Sequence, residues 1–260
     1  MSQKRHGLRP RVPSPGRAGG LRACRQIRER SWESGLADLY MITFSYYFFT
    51  KQKGKAILAG ILTFMSFKRL NLVYMGFLLI FGRFFKPKPI PRAVEVITKG
   101  LLILSPILIY TATDDAFSAW FESAFGMDLN SFTMGRFNQI NFINDLDENM
   151  TGLGMTHYML VVHEFDIHRL HCDVIRIYIE TTIVGLVFFV NNYLNIGKRD
   201  QRGFSLVLFF MIVMVTSTCI ENTFYWLTIF LICENYERRK KVEAMEIMEE
   251  KQDGETVAIG

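Results

Sequence analysis

Cysteine is sparse and scattered in this chain. Its 260 residues hold four, Cys24, Cys172, Cys219 and Cys233. None stands in a CxxC pair, which removes the usual spacing of a zinc site or a dithiol redox centre. Cys219 and Cys233 lie in apolar runs and read as small buried residues. Histidine is scarce too, at five residues. His163 and His168 lie near each other without a second ligand cluster, so neither a metal nor any other cofactor is expected. Residues 1–35 lack the apolar core of a signal peptide. They are rich in Arg, Gly, Pro and Ser and read as disorder or an odd translation start. No internal repeat is evident, which weighs against a transporter built from duplicated halves. The net charge is only +5. Its basic residues do not line one face as in a nucleic-acid binder, so no nucleic-acid partner is expected.

Apolar residues are what the chain has in excess. Half of it is hydrophobic and 14% is aromatic, above the level of an ordinary soluble domain. Seven apolar runs follow in order: 36–50, 56–67, 70–85, 93–111, 174–196, 204–220 and 223–233. Asp38 interrupts the first, and Pro106 predicts a kink in the fourth. Several fall short of the roughly 20 residues that cross a bilayer unaided. Such short spans persist when packed in protein or lining a wet cavity. Runs two and three, and runs six and seven, read as helical hairpins with polar tips at Lys68-Arg69 and Glu221-Asn222.

The basic residues fall between these runs. Placing "KQKGK" (51–55) in the cytoplasm puts "RFFKPKPIPR" (83–92), "GKRDQRG" (197–203) and "ERRKK" (237–241) there too. That matches the positive-inside rule. The expected fold is therefore all-α, a polytopic transmembrane bundle of about six or seven membrane segments. Residues 36–236 form its membrane domain, the polar stretch 112–170 one large extracytoplasmic loop, and residues 237–260 a charged cytoplasmic tail. Two features break the pattern. Lys68-Arg69 is basic yet outside, and so are the arginines of residues 1–35. We expect the natural N-terminal half to be missing, with run 36–50 the remnant of a span.

Ionisable groups at or in membrane segments are costly and tend to be functional. In "LHCDVIRIYIETTIVGLVFF", Asp173, Arg176 and Glu180 fall at i, i+3 and i+7, on one helix face. Glu180 lies inside the apolar run and needs a cationic partner, for which Arg176 is the near candidate. His171 stands just before, at the outer mouth. In "SFTMGRFNQINFINDL", Gly135 permits a tight turn beside Arg136. Phe137, Ile140 and Ile143 fit a short amphipathic helix on the outer surface. Glu221-Asn222 is placed either to cap the last helix or to line the cavity. The outer side thus gathers arginines, carboxylates and a histidine able to move a proton near neutral pH. Guanidinium groups make bidentate hydrogen bonds to phosphate. Lys68 reads either as an interfacial anchor or as part of this pocket.

These residues carry a resemblance. "HCDVIRIYIETTIVGL" resembles the His-Asn-Asp-x-x-Arg-x-x-x-Glu-x-Gly-x-x-Gly signature of the O-antigen ligase and polysaccharide repeat-unit polymerase superfamily. "MGRFNQI" resembles its Ser-Gly-Arg-x-x-x-Trp segment, "TGLG" its following Gly-x-Gly, and "SFKRLNL" its Ser-x-Ser-Arg hairpin tip. The resemblance spans about residues 40–236. Cys172 stands in place of Asn, Thr182 in place of Gly, and Asn141 near an expected Trp.

The resemblance implies a metal-independent glycosyltransferase in a bacterial cytoplasmic membrane, its site facing outward. Donor and acceptor would be oligosaccharides on undecaprenyl diphosphate. A flippase and a chain-length regulator are further implied partners. Arg69 and Arg136 would bind the diphosphate and stabilise its growing charge. His171 would act as general base. Arg176 and Asp173 would orient it or join the phosphate pocket, and Glu180 would balance Arg176. Lys68 and Glu221 would support the site. Polymerase and ligase are not separated by the motifs. A polysaccharide transporter and a non-catalytic remnant stand as alternatives of other classes.

Overall fold

The computed structural model describes residues 36–133, 135–146, 151–163, 170–220 and 222–258. Every regular element among the described residues is helical. The helices are α1 (36–49), α2 (Lys53–Met65), α3 (Arg69–Phe81), α4 (Arg92–Ala112), α5 (Asp115–Phe125), α6 (Leu129–Phe132), α7 (Arg136–Asp145), α8 (Met155–Val162), α9 (Asp173–Gly197), α10 (Gln201–Thr216) and α11 (Thr223–Ala258). A 3-10 turn, Gly82–Phe84, ends the α3 segment.

The seven apolar runs map onto α1–α4 and α9–α11. Left-handed residues reverse the chain at Lys51 (φ 59°) and Phe67 (φ 49°), between α1, α2 and α3. The last helix runs on unbroken from its apolar start through the charged tail to Ala258. Among its described residues the stretch 112–170 holds four short helices, two of them opened by left-handed glycines. Residues 1–35 and Glu221 lie outside the described residues.

α10 is the centre of the bundle. It is apolar on nearly every face, the pattern of a helix surrounded by others. Phe204, Leu206, Val207, Phe210, Val213 and Met214 are all buried. α9 and α11 flank it, and α4 packs on α9. Tyr74 of α3 stacks on Phe209 at 4.1 Å, and its hydroxyl lies 2.7 Å from that of Ser205. The outward faces are apolar as well. Leu101, Leu104 and Leu108 of α4, Leu58 and Ile61 of α2, and Val184 and Phe188 of α9 are exposed.

The two ends of the bundle differ in charge. At one end the Ile90 N–H donates to the Lys198 carbonyl at 3.1 Å, and the Gln201 N–H to the Lys88 carbonyl at 3.0 Å. Arg199 pairs with Glu237 at 3.1 Å, and Arg202 lies over the Tyr236 ring, which packs on Tyr46 and Phe49 of α1. The four basic segments therefore share that end. At the opposite end lie the α2–α3 tip, the start of α1, the start of α9 and the α10–α11 tip.

Among the described residues one helix, α4, is long and apolar enough to cross a membrane, and α10 is a shorter apolar helix. α4 continues through Pro106 as one helix. A break in helical geometry falls in α9, at Thr182 (φ 64°, ψ −177°). That region of backbone space is nearly exclusive to glycine, and other residues there cost about 1–3 kcal/mol. The kink also folds Thr181 over Gly185. A Cβ on Gly185 would meet the Thr181 hydroxyl at 2.0 Å. Positions 182 and 185 are thus both places where this backbone disfavours a side chain. Thr182→Gly is expected to stabilise the protein by about 1 kcal/mol through release of this strain. Thermal unfolding in detergent would measure it. A lowered midpoint would show that Thr182 is not strained.

Candidate functional site

The site is assembled at the end opposite the basic segments. Four pieces meet there.

The first is the α2–α3 tip. Lys68 Nζ lies 2.7 Å from both carboxylate oxygens of Asp38, and Asn71 Nδ2 donates to the same group at 3.1 Å. Asp38 is buried. A buried charge is tolerable when paired and hydrogen-bonded, so this pair explains both the carboxylate within the first apolar run and the lysine at the tip. Lys68 is committed to structure. Arg69 is the neighbour left exposed, and it holds no ion pair among the described residues.

The second piece is the start of α9. The Asp173 carboxylate accepts the backbone N–H groups of Cys219 and, at 2.7 Å, Ile220. Asp173 therefore ties α9 to the α10–α11 tip. Cys219 also lies within electrostatic reach of Asp38 and Lys68, which links this tie to the first piece. Asn222 caps the tip, its N–H bonding the Cys219 carbonyl at 3.1 Å.

The third piece is the segment 151–156, held by Glu180. The Glu180 carbonyl accepts the Gly152 N–H at 2.8 Å. Its carboxylate accepts the Gly154 N–H at 2.9 Å, the Thr156 N–H at 3.2 Å and the Thr156 hydroxyl. Gly154 opens α8 at φ +83°, a conformation that costs glycine little. A carboxylate at a helix N-terminus satisfies donors that the helix cannot. Arg176 Nε lies 3.5 Å from the same carboxylate. The expected Arg176–Glu180 pair is present, but it is one contact of several. Sequence reading missed the larger role, because the partners lie 24–28 residues upstream and form only after folding.

The fourth piece is α7 with Arg136. Gly135 opens this helix at φ +79°. Ile140 and Ile143 are buried with Leu160, Leu170, Cys172 and Ile175, so α7 packs on α8 and the start of α9 rather than lying free on a surface. The buried Gln139 side chain accepts the His171 backbone N–H at 3.2 Å and so fixes where the histidine stands. Arg136 is partly buried and lies within electrostatic reach of Cys172. Burial pulls its pKa below the ordinary arginine value, though a guanidinium stays charged. No carboxylate pairs with it among the described residues. Burial pushes the Cys172 thiol up to about 12, so it is a neutral thiol and a poor nucleophile.

His171, Arg136, Arg176, Asp173 and Glu180 are therefore brought together, with Lys68 and Arg69 at the same end. Among the described residues no group of three or more His, Cys, Asp or Glu side chains is placed to hold a metal ion. The arrangement offers partly buried cations, a half-buried histidine, and carboxylates already engaged by N–H donors. Its uncommitted cations suit an anion.

No family model matches this chain, and neither a curated protein nor a solved structure matches it.

Glu180→Ala should free segment 151–156. The amides of Gly154 and Thr156 are expected to exchange with solvent at least about tenfold faster, the equivalent of one charge-assisted hydrogen bond of roughly 1.5 kcal/mol. Hydrogen exchange read by mass spectrometry would detect it. Unchanged protection would mean that Glu180 does not hold this segment.

Proposed function

We propose that this chain is a membrane glycosyltransferase of the repeat-unit polymerase type, joining oligosaccharides carried on undecaprenyl diphosphate. The observation that carries the reading is Arg136. It is a partly buried cation with no carboxylate partner among the described residues, held on a helix whose next turn positions His171. A desolvated cation of this kind favours an anionic ligand.

The membrane setting is part of the proposal. α4 has 21 residues and so extends about 31 Å at the α-helical rise, matching a hydrocarbon core of about 30 Å. Only 11% of its apolar window is buried, unlike a core helix of a soluble domain. The shorter helices expose leucine, isoleucine and phenylalanine on the same outer faces. With the basic end in the cytoplasm, the site faces outward, where flipped lipid-linked repeats would be joined.

In the reaction, the oxygen of an acceptor sugar hydroxyl attacks the anomeric carbon of the donor glycan. The bond from that carbon to the diphosphate oxygen breaks, and the electron pair leaves with the diphosphate. The proton of the acceptor hydroxyl passes to His171. Negative charge grows on the leaving diphosphate, where Arg136 and Arg69 stabilise it. Arg176, steadied by Glu180, adds to the same field. Asp173 keeps the α10–α11 tip against the site. A ligase uses the same groups with a different acceptor.

His171→Ala should abolish polymer in cells that supply the donor, while lipid-linked single repeats accumulate. Long polymer made by stable His171→Ala protein would rule out the general base. Arg136→Lys is expected to cut polymer yield by more than about tenfold, since lysine lacks the bidentate fork. Near-normal yield would make Arg136 a bystander. Transfer of glycan to another acceptor without elongation would assign the ligase reaction instead.

A further inference from the structure

α5 is hard to account for as a helix in water. It has 11 residues, and isolated helices shorter than about 12–15 residues are marginal. None of its described side chains is buried. It is nevertheless rich in rings. Phe117, Trp120, Phe121 and Phe125 fall at i, i+3, i+4 and i+8, on one face, with Glu122 and Ser123 on the far side. The rings touch in a chain. Phe117 lies 5.3 Å from Trp120, Trp120 6.3 Å from Phe125, Phe125 4.7 Å from Phe121, and Phe121 5.5 Å from Phe132 of α6. Trp120 is 56% exposed and Phe125 59%. A second apolar phase is needed to cover this face.

We propose that the phase is the bilayer. In this view α5 is an interfacial helix that seats its ring face at the headgroup boundary of the outer leaflet. The inference rests on α4 crossing the membrane. Two observations favour lipid over protein as the occupant. The exposed apolar face of α4 runs through Leu104, Ile107 and Leu108, and only Thr113 and Asp114 separate α4 from α5. The ring face therefore starts where the lipid-facing surface ends, the level at which tryptophan and amphipathic helices settle. Charge argues the same way. No Lys or Arg stands between Lys99 and Arg136, while Asp114, Asp115, Glu122 and Asp128 do. A second copy docked face to face would bring two acidic rims together. A lipid surface imposes no such cost, and attachment comes from apolar insertion rather than from anionic headgroups. Gly126, left-handed at φ +68°, ends α5 and turns the chain toward α6 and α7. An anchored α5 would thereby set the depth of Arg136 near the phosphate level of a lipid carrier.

The test uses the full chain reconstituted in phosphatidylcholine nanodiscs, with acyl chains brominated either near the headgroup or near their ends. The difference in emission between the parent and Trp120→Phe isolates Trp120. It should be blue-shifted, strongly quenched by shallow bromine, and little affected by deep bromine or aqueous iodide. Phe117→Trp in the Trp120→Phe background gives an independent reading of the same face, with the same expectation. Quenching by iodide would overturn the proposal by placing the rings in water. Protection from all three quenchers would overturn it by placing them under protein. Leu104→Trp, also in the Trp120→Phe background, separates the two claims. Deep bromine should quench it. If it does while α5 is not quenched, only the interfacial helix is wrong. If it does not, the membrane span itself fails.

Discussion

A carboxylate almost sealed from solvent has to be neutralised by what touches it. Glu180 is buried and meets that demand with N–H groups of Gly154 and Thr156, the Thr156 hydroxyl and Arg176. Its carbonyl, turned out by the break at Thr182, takes the Gly152 N–H. One residue thus fixes the path of segment 151–156, the start of α8 and one edge of Arg176. Because α8 packs against α7 and the start of α9, the same contacts bear on where Arg136 and His171 stand. Hydrogen bonds to a charged acceptor are worth roughly 1.5–3 kcal/mol each, enough to outweigh the strain of about 1–3 kcal/mol at Thr182.

The rest of the polar end follows the same logic. Lys68 and Asp38 neutralise each other and lock the α2–α3 tip to α1. Asp173 spends its charge on the backbone of the α10–α11 tip. Pairs of this kind are costly to break and weak as net stabilisers. Their value here is geometric, since they hold three helix ends against α10 while Arg69 and Arg136 remain unpaired among the described residues. The apolar core around α10 supplies the stability, and the ion pairs supply the register.

Much of this was legible in the sequence. Hydrophobic runs located α1–α4, α9 and α10 to within a few residues and marked the start of α11, because an apolar stretch must be buried or face lipid and the helix is the form that satisfies its own backbone. Gly135 beside Arg136 and the Asp173, Arg176, Glu180 spacing marked the site. Less legible was anything that depends on distant contact. Asp38 read as a flaw in a span until Lys68 met it. Glu180 read as a counter-ion to Arg176, although its nearer partners come from another helix. The aromatic content of 117–132 was masked by the polar average of 112–170. The break in α9 lies at Thr182, where no proline or glycine signals it.

The central claim is that this end transfers glycan from a lipid diphosphate using arginines and a histidine. The most direct measurement is turnover by the purified chain in nanodiscs containing a polyprenyl-diphosphate-linked repeat, with EDTA present and products read by mass spectrometry. The account expects free polyprenyl diphosphate to appear together with lipid-linked glycan of two or more repeats. Release of polyprenyl diphosphate without glycan growth or transfer, or no turnover by protein that binds the lipid, would contradict it.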